Sequence, residues 1–481
     1  MLKRQITAAT LILAMLLAAC GNSAVSEDTS DADTDTQTSE SDDEAYKFPE
    51  LDCGGDEFTI LNPEEYWGMY TKLDFEQMTG ELIDDAVYNR NRYLEDLFNF
   101  KLNVVEFPVD ELYEKIQMAV AAQEDIYDVT YSRGWHLKTL VAGGCLMNLY
   151  DIPEMQFDQP WWNQSQIESA QLGGGKAIYF AHNYFSLASF DNVWTIFFNE
   201  TMMDNLGEEM PYDTVREGKW TMDELFRLAR LGTNLNGDES FSFNENGNAI
   251  YGCSSFWRLC TAMLTGAGVK GISRDNYGNP YFTLESDRFY EAVDKLAGFF
   301  KNEGDYLEAN DTTSKNYQKI FISGRALFIG GGMAGSAVFR EMEDDFGILP
   351  LPKLDEEQEN YYAWMNYDVN TMCVPVTNTD TERTGIIIDA LSYLSWRDVL
   401  PDYYEVRVSQ KSLRNDDSIE MLKLIHSSLV YDAGLAYGWT YDLMTQIAQK
   451  VGRGNGEIAS VIASNKSAIE ENIKATLEMI N

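Results

Sequence analysis

The sequence predicts an α/β protein in which sheet strands are covered by helices on both faces. Three observations carry that reading. Strand-like and helix-like stretches alternate from Glu57 onwards, the pattern of a sheet with helices packed on its two sides. A hydrophobic content of 44% with 13% aromatic residues belongs to a globular chain. The 481 residues suffice for two or three ordinary domains.

Folding is expected to begin near Phe48. Glu57 to Leu61 reads as a strand, and Asn62 to Gly68 as a polar-aromatic loop. Asp84 to Phe98 is helical, with Val87, Leu94, Leu97 and Phe98 on a broad apolar face. A strand over Leu102 to Phe107 precedes a helix carrying Leu112, Ile116, Ala119 and Val120. The strand Ile126 to Tyr131 then opens into Ser132-Arg133-Gly134-Trp135-His136. In such sheets ligands bind at the carboxyl ends of strands, and both polar-aromatic loops leave such ends. Trp67 and Trp135 are therefore candidates, although a loop Trp serves equally to plug a gap in the core.

Phe190 to Phe198 reads as a further strand. Thr221 to Leu231 reads as a helix whose Thr-Met-Asp-Glu start resembles a capping box. Helices are expected over Ser254–Thr265, Ser286–Lys301, Ser314–Ser323, Glu382–Trp396, Ser418–Leu429 and Ile458–Leu477. Strands fit Ala326–Ile329, Gly347–Leu349 and Val369–Val374. No internal repeat is visible.

The N-terminal segment has Lys3 and Arg4 first, an apolar run from Leu11 to Leu17, then small residues. That order is a secretory signal, and it is too short for a spanning helix. Leu17-Ala18-Ala19-Cys20 resembles the lipobox of bacterial lipoproteins, in which the Cys is acylated and heads the mature chain. Residues 1–19 are thus expected to be a signal peptide, and 20–46 a lipidated Cys with a disordered acidic linker. Nine acids and no Lys or Arg lie between Cys20 and Lys47, so that linker repels itself.

A formal charge of −42 excludes nucleic acid as a partner, since such a surface repels phosphate backbones. Cys53, Cys145, Cys253, Cys260 and Cys373 are an odd, scattered set and read as buried small apolar residues. The spacing of Cys253 and Cys260 fits two turns of one helix.

Gly330-Gly331-Gly332-Met333-Ala334-Gly335 satisfies G-x-G-x-x-G, but no acid closes a second strand about 20 residues on, as a dinucleotide site requires. It reads instead as a glycine floor where backbone approaches a ligand closely. Asn234, Asn236, Asp238 and Glu245 fall at ligand positions of a candidate calcium loop, with Ser240 and Ser242 between them. Position 6 of that loop is Glu239 where the sharp turn asks for Gly, so a solvated polar loop is the competing reading. No other cofactor is expected. Three histidines, no H-E-x-x-H, no G-x-S-x-G and no P-loop leave catalysis without positive support.

Aromatic residues beside polar ones are over-represented outside clear helices: Trp161-Trp162-Asn163, Asn183-Tyr184, Asp191-Asn192, Phe256-Trp257-Arg258, Trp364 to Asp368, and Tyr437-Gly438-Trp439. Sugar rings present an apolar C–H face and a rim of hydroxyls, which such pairs match. An aromatic-rich core would give the same pattern.

Three pieces in order, Gly218-Lys219-Trp220-Thr221-Met222-Asp223-Glu224-Leu225, the Phe321–Phe328 run with Ser323-Gly324-Arg325, and Phe346-Gly347-Ile348-Leu349-Pro350-Leu351-Pro352, resemble a known family. It is the extracellular solute-binding proteins of group 1, lipoprotein receptors of bacterial carbohydrate importers of the ABC type. Asp416 to Trp439 is similar to the C-terminal part of members from anaerobic Gram-positive bacteria. The resemblance implies a two-lobed, periplasmic-binding-protein-like type II fold with a hinge and an interlobe cleft. It implies one lobe from 47–188 plus 370–405 and another from 189–369 plus 406–481. Crossings are expected near Asn183–Asp191, Asn366–Asn370 and Pro401–Gln410.

The ligand-facing positions implied are Glu65 and Trp67, Ser132 and Trp135, Gly331, and Trp439. The aromatic-polar pairs add Tyr184, Asp191, Trp257, Arg258, Trp364 and Asn366. No aromatic directly follows the Gly-rich turn, where many sugar receptors have one. The implied partners are a carbohydrate, permease subunits and a membrane reached through lipid, with the chain a monomer on the outer face of the cytoplasmic membrane. A receptor for a peptide or other polar solute, and an extracellular glycan-active enzyme, remain open at this point.

Overall fold

The computed structural model describes residues 46–308, 315–339, 342–408 and 416–479. The signal segment and the Cys20 lipidation site lie outside the described residues. From Phe48 onwards the chain is one compact unit built on two sheets.

The first sheet has strand order β12-β3-β1-β2. Strand β1 (Glu57–Pro63) lies parallel to both β2 (Lys101–Phe107) and β3 (Val129–Arg133). Parallel neighbours need a crossover, and helices Leu82–Phe98 and Leu112–Ala122 supply it. The first of these buries Ile83, Val87, Leu94 and Phe98, one face of a 3.6-residue period, and ends at Asn99 in the left-handed region. Strand β12 (Asn370–Cys373) arrives from far along the chain and pairs antiparallel with β3.

The second sheet runs β13-β11-β4-β9-β5-β8, with β10 also paired to β4. Its centre is β4 (Val193–Asn199), buried at every position. Around it lie β9 (Ala326–Gly332), β10 (Phe346–Leu349) and β11 (Ala363–Met365), all antiparallel to it. Strand β5 (Tyr251–Ser255) is parallel to β9 and to β8 (Tyr306–Glu308). Strand β13 (Leu429–Val430) closes the edge beside β11. A separate hairpin pairs β6 (Ile272–Arg274) with β7 (Pro280–Phe282). The chain therefore passes between the sheets three times: from β3 to β4, from β11 to β12, and from β12 to β13.

Two of the motifs singled out in sequence interlock. Met222 N donates to the Lys353 carbonyl at 2.8 Å and Lys353 N to the Trp220 carbonyl at 3.1 Å. The fully buried Trp220 indole donates to the Pro350 carbonyl at 2.9 Å. Thr221 caps helix Met222–Gly232 by accepting from Glu224 N.

Several expectations are corrected. The stretch 190–198 holds a short helix, Ala188–Asp191, before β4 begins. Residues 254 and 255 finish β5, and the helix is Arg258–Gly266. Cys253 and Cys260 therefore belong to different elements; the short strand of small residues, buried on both faces, has no alternation to betray it. The glycines 330–332 continue β9, because β4 pairs with them: Ile196 with Gly330, Thr195 with Gly331, Trp194 with Gly332. A side chain at Gly330 would meet Leu259 at 2.4 Å, so the glycine lets helix Arg258–Gly266 lie against the sheet. The helix expected to stop at Trp396 runs Thr381–Leu394, then through a π-helical turn Ser395–Val399 into Leu400–Val408. The five described cysteines are free; four are buried, but Cys53 is only partly so. Among the described residues, no helix is long and apolar enough to cross a membrane.

The loop read for calcium is tied together by bonds within itself and to one neighbouring lysine. Asp238 accepts from the N–H groups of Asn248 at 2.7 Å and Ala249 at 2.8 Å, Asn234 accepts from Asn236 N, and Glu245 pairs with Lys319. Among the described residues, no group of three or more His, Cys, Asp or Glu side chains converges to hold a metal.

His182 is buried where the end of the first half meets Tyr431, its ring 5.4 Å from that tyrosine. Burial pulls its pKa, like that of His426, down from 6.5 to about 3. A folded pKa below the unfolded one means the unfolded chain binds the proton first. The stability from keeping these rings neutral is present above pH 6.5 and is lost as pH falls toward 3. Each ring loses roughly 1.4 kcal/mol per pH unit over that window. Thermal melts of the chain should therefore fall between pH 6.5 and 4.5, and His182→Asn should flatten the slope over that range.

Candidate ligand-binding cleft

A cavity of about 530 Å³ opens where strand ends from the two sheets meet. Such a volume is within the range of small-molecule sites. Trp67 and Met69 reach it from the segment after β1, and Asp191 and Asn192 from the passage into β4. Trp257 and Arg258 follow the carboxyl end of β5, Gly332 ends β9, and Asn366 follows β11. Because β4 is antiparallel to β9 and β11, its amino end lies beside their carboxyl ends. One mouth thus collects residues from six separate chain segments, Lys315–Gln318 among them, near the strand ends where α/β sheets bind ligands.

The polar side of this mouth is organised around Asp368, which is 2% exposed. Its carboxylate accepts from Arg258 at 3.1 Å and pairs with Arg133 at 3.4 Å. Arg133 is the last residue of β3, whereas Arg258 starts the helix after β5. Asp368 stands on the β11–β12 passage, so one buried carboxylate joins both sheets and the link between them. Arg133 also pairs with the exposed Asp110. Arg258 donates to Asn366 Oδ1 at 3.0 Å, and Asn366 N donates to the Asn192 carbonyl at 3.1 Å. A Cβ at Gly134 would sit 1.8 Å from the Tyr367 carbonyl oxygen, so only glycine lets the passage lie this close to β3.

Asp191 is bound in a second way. Its carboxylate accepts from Tyr70 N at 2.7 Å and from the Tyr403 hydroxyl at 2.8 Å. Asp191 and Asp368 thus both accept bonds from the protein.

The aromatic side is carried by Trp67 and Trp257. Trp67 is half exposed and has φ of 56°, a conformation unusual for a bulky residue. The Arg133 guanidinium lies 4.9 Å from its ring centre, and the Tyr66 ring 5.1 Å away. Arg258 lies 5.0 Å from the Trp257 ring centre. The arginines that Asp368 holds therefore pack on indoles, Arg258 on Trp257 and Arg133 on both Trp67 and Trp135.

Of the residues proposed from sequence, the cavity lining brings together Trp67, Asp191, Trp257, Arg258 and Asn366. Ser132 is buried in β3 opposite Thr371, and Gly331 lies in β9 beside the lining residue Gly332. Glu65 is exposed on the loop before Trp67. Trp135 is exposed and stacks on His136, 4.8 Å between ring centres. These four lie outside the lining, and so do the remaining three. Tyr184 packs on Phe190 against a core cluster with Tyr403. Trp364 is buried against Trp194. Trp439 stacks on Tyr437 and donates its indole N–H to Thr476 at 3.0 Å, beneath the last helix. The Trp161–Trp162 pair is core as well, both indoles donating to buried Asp389. Lys315, Tyr317 and Gln318 line the cavity with no signal in the sequence beyond the start of a short helix.

Two sheets joined by three chain passages, with a cleft at their facing strand ends, are the two-lobed α/β fold of substrate-binding proteins. Solved structures similar to this chain include a cyclo/maltodextrin-binding protein complexed with maltotetraose, at 14% identity and a TM-score of 0.56, covering 89% of this chain and 98% of that one. The ABC substrate-binding protein Lmo0181 from Listeria monocytogenes, in complex with cycloalternan, is similar at 13% identity and a TM-score of 0.54, covering 87% and 99%. The GacH receptor of Streptomyces glaucescens, solved unliganded and with acarbose, gives 13% and 0.51, covering 88% and 97%. At these identities the likeness is one of fold. No protein-family model and no curated protein sequence matches the chain.

Removing one partner from a buried ion pair costs about 3–5 kcal/mol, because the remaining charge stays buried. Asp368→Asn should lose stability on that scale in chemical denaturation. Asp110→Asn, on an acid that is 70% exposed, should cost under about 1 kcal/mol.

Proposed function

We propose that this chain is the receptor of a bacterial ABC importer, binding a carbohydrate, in our reading an oligosaccharide, between its lobes. The observation that carries the reading is the cleft itself, whose lining brings the Trp67 and Trp257 indoles together with the Arg258 guanidinium and the Asn366 amide around a space of sugar size. The likeness of fold to sugar-bound receptors supports the same class of ligand. The lobes are taken as 47–188 plus 370–405 and 189–369 plus 406–481, and the mooring as acyl chains on Cys20. Two chains contribute about 0.8 kcal/mol per buried CH₂, enough for a stable anchor on the outer face of the cytoplasmic membrane.

In this mechanism the open form exposes the cleft, and ligand contacts with both lobes favour the closed form. Only a difference in affinity between the two states can shift their populations. The closed shape then docks on the permease as a monomer, and the sugar leaves unaltered. The chain is a binder and not a hydrolase.

Thermal-shift screening and calorimetry with an oligosaccharide panel test the reading. A stabilising shift with no change in the sugar is expected. Appearance of cleaved product overturns it, and so does stabilisation by oligopeptides alone. Burying a large aromatic side chain against a ligand contributes about 1.5–3 kcal/mol. Trp67→Ala and Trp257→Ala should therefore each weaken binding roughly 10- to 100-fold, whereas Trp439→Ala should leave affinity unchanged and lower the melting temperature.

A further inference from the structure

We infer that the saccharide held in this cleft carries a carboxylate, as a uronate does. The inference rests on the receptor reading above and concerns the charge of its ligand. The chain has 78 acidic and 36 basic side chains, yet the charged groups lining the cavity are Arg258, Lys315 and Asp191. In this lining two cations meet one acid, the reverse of the balance of the chain as a whole. Asp191 is turned to the protein, since its oxygens accept from Tyr70 N and the Tyr403 hydroxyl. It is therefore poorly placed to serve as the acceptor that a neutral or amino sugar would ask for.

Arg258 has donors to spare. Its guanidinium carries five N–H groups, and its protein acceptors are Asn366 Oδ1, the Tyr367 hydroxyl at 3.5 Å and Asp368. Its counter-ion is shared, because buried Asp368 also pairs with Arg133. Arg133 takes a second partner in Asp110, which is exposed and outside the cavity lining. A planar guanidinium matches a carboxylate in a two-pronged pair, and charge-assisted bonds are about twice as strong as neutral ones. Lys315 adds an ammonium on the same wall. The indoles of Trp67 and Trp257 remain to cover the apolar faces of the rings.

Calorimetry on the full chain with trigalacturonate and maltotriose, matched in ring number, tests this. Trigalacturonate should bind at least about tenfold more tightly, which corresponds to one charge-assisted pair. The advantage should shrink as salt rises. Arg258→Gln and, separately, Lys315→Gln should each reduce that advantage several-fold. Because Arg258 also supports Asp368, the exposed Lys315 provides the variant that keeps the fold. Equal or tighter binding of maltotriose overturns the inference and leaves the receptor reading standing. Absence of binding by both sugars, together with silence across the oligosaccharide panel, overturns both.

Discussion

A single buried carboxylate, Asp368, sets the geometry on which the cleft depends. It lies on the short passage between β11 and β12, and two arginines from different sheets converge on it. Strand β12 pairs with β3 so that Asn370 faces Arg133, which fixes the passage against the first sheet. Asn366 ties the other end of the passage to Asn192 at the entry of β4. The carboxylate is desolvated, and leaving it unpaired would cost several kcal/mol; the arginines are thereby held in place. Their flat faces in turn back Trp67 and Trp257. The polar pin and the aromatic walls are one construction.

The same passage explains where small residues are needed. Gly134 begins the helix after β3, where the Tyr367 carbonyl leaves no room for a Cβ. Gly330 serves the packing of helix Arg258–Gly266 on β9, and that helix presents Arg258 at its first position. Glycines that looked in sequence like a floor under a ligand act first as ladder residues of β9. The later part of the motif, Gly332 at the end of β9 with Ala334 and Gly335 after it, does line the cavity.

Much of the local structure was legible because its causes are local. Thr221 caps its helix as the capping-box pattern suggests, and the helix expected from Ser286 starts there, with Ser286 as its cap. Ser254 and Ser255, the end of β5, read as the start of a helix because Gly-Cys-Ser-Ser has neither alternation nor bulk; their place in the strand comes from neighbours far away in sequence. The site was partly legible for the opposite reason. Aromatic-polar pairs mark both a sugar platform and a buried indole with a hydrogen-bond partner, and only tertiary position separates them. Trp257 beside Arg258 lines the cavity, whereas Trp162 beside Asn163 donates to Asp389 in the core. Asp368 stood at the end of one such pair, but nothing local told that two arginines from elsewhere would claim it.

The acidity of the chain and the cations of the cleft are compatible because they act over different distances. Charges on the exposed surface are screened beyond about 10 Å at ordinary salt, so the formal −42 is felt mainly as a slowed approach of anions. A carboxylate about 4 Å from a guanidinium in a surface cleft gains on the order of 4 kcal/mol before desolvation is counted, and salt screens only part of it. Asp368 neutralises part of that field, but it does so from behind, nearly sealed from solvent and divided between two arginines. A ligand carboxylate would therefore add a partner to Arg258 without displacing the one that holds the cleft together. The group that fixes the architecture and the group that selects the ligand thus meet on one side chain without competing for the same atoms.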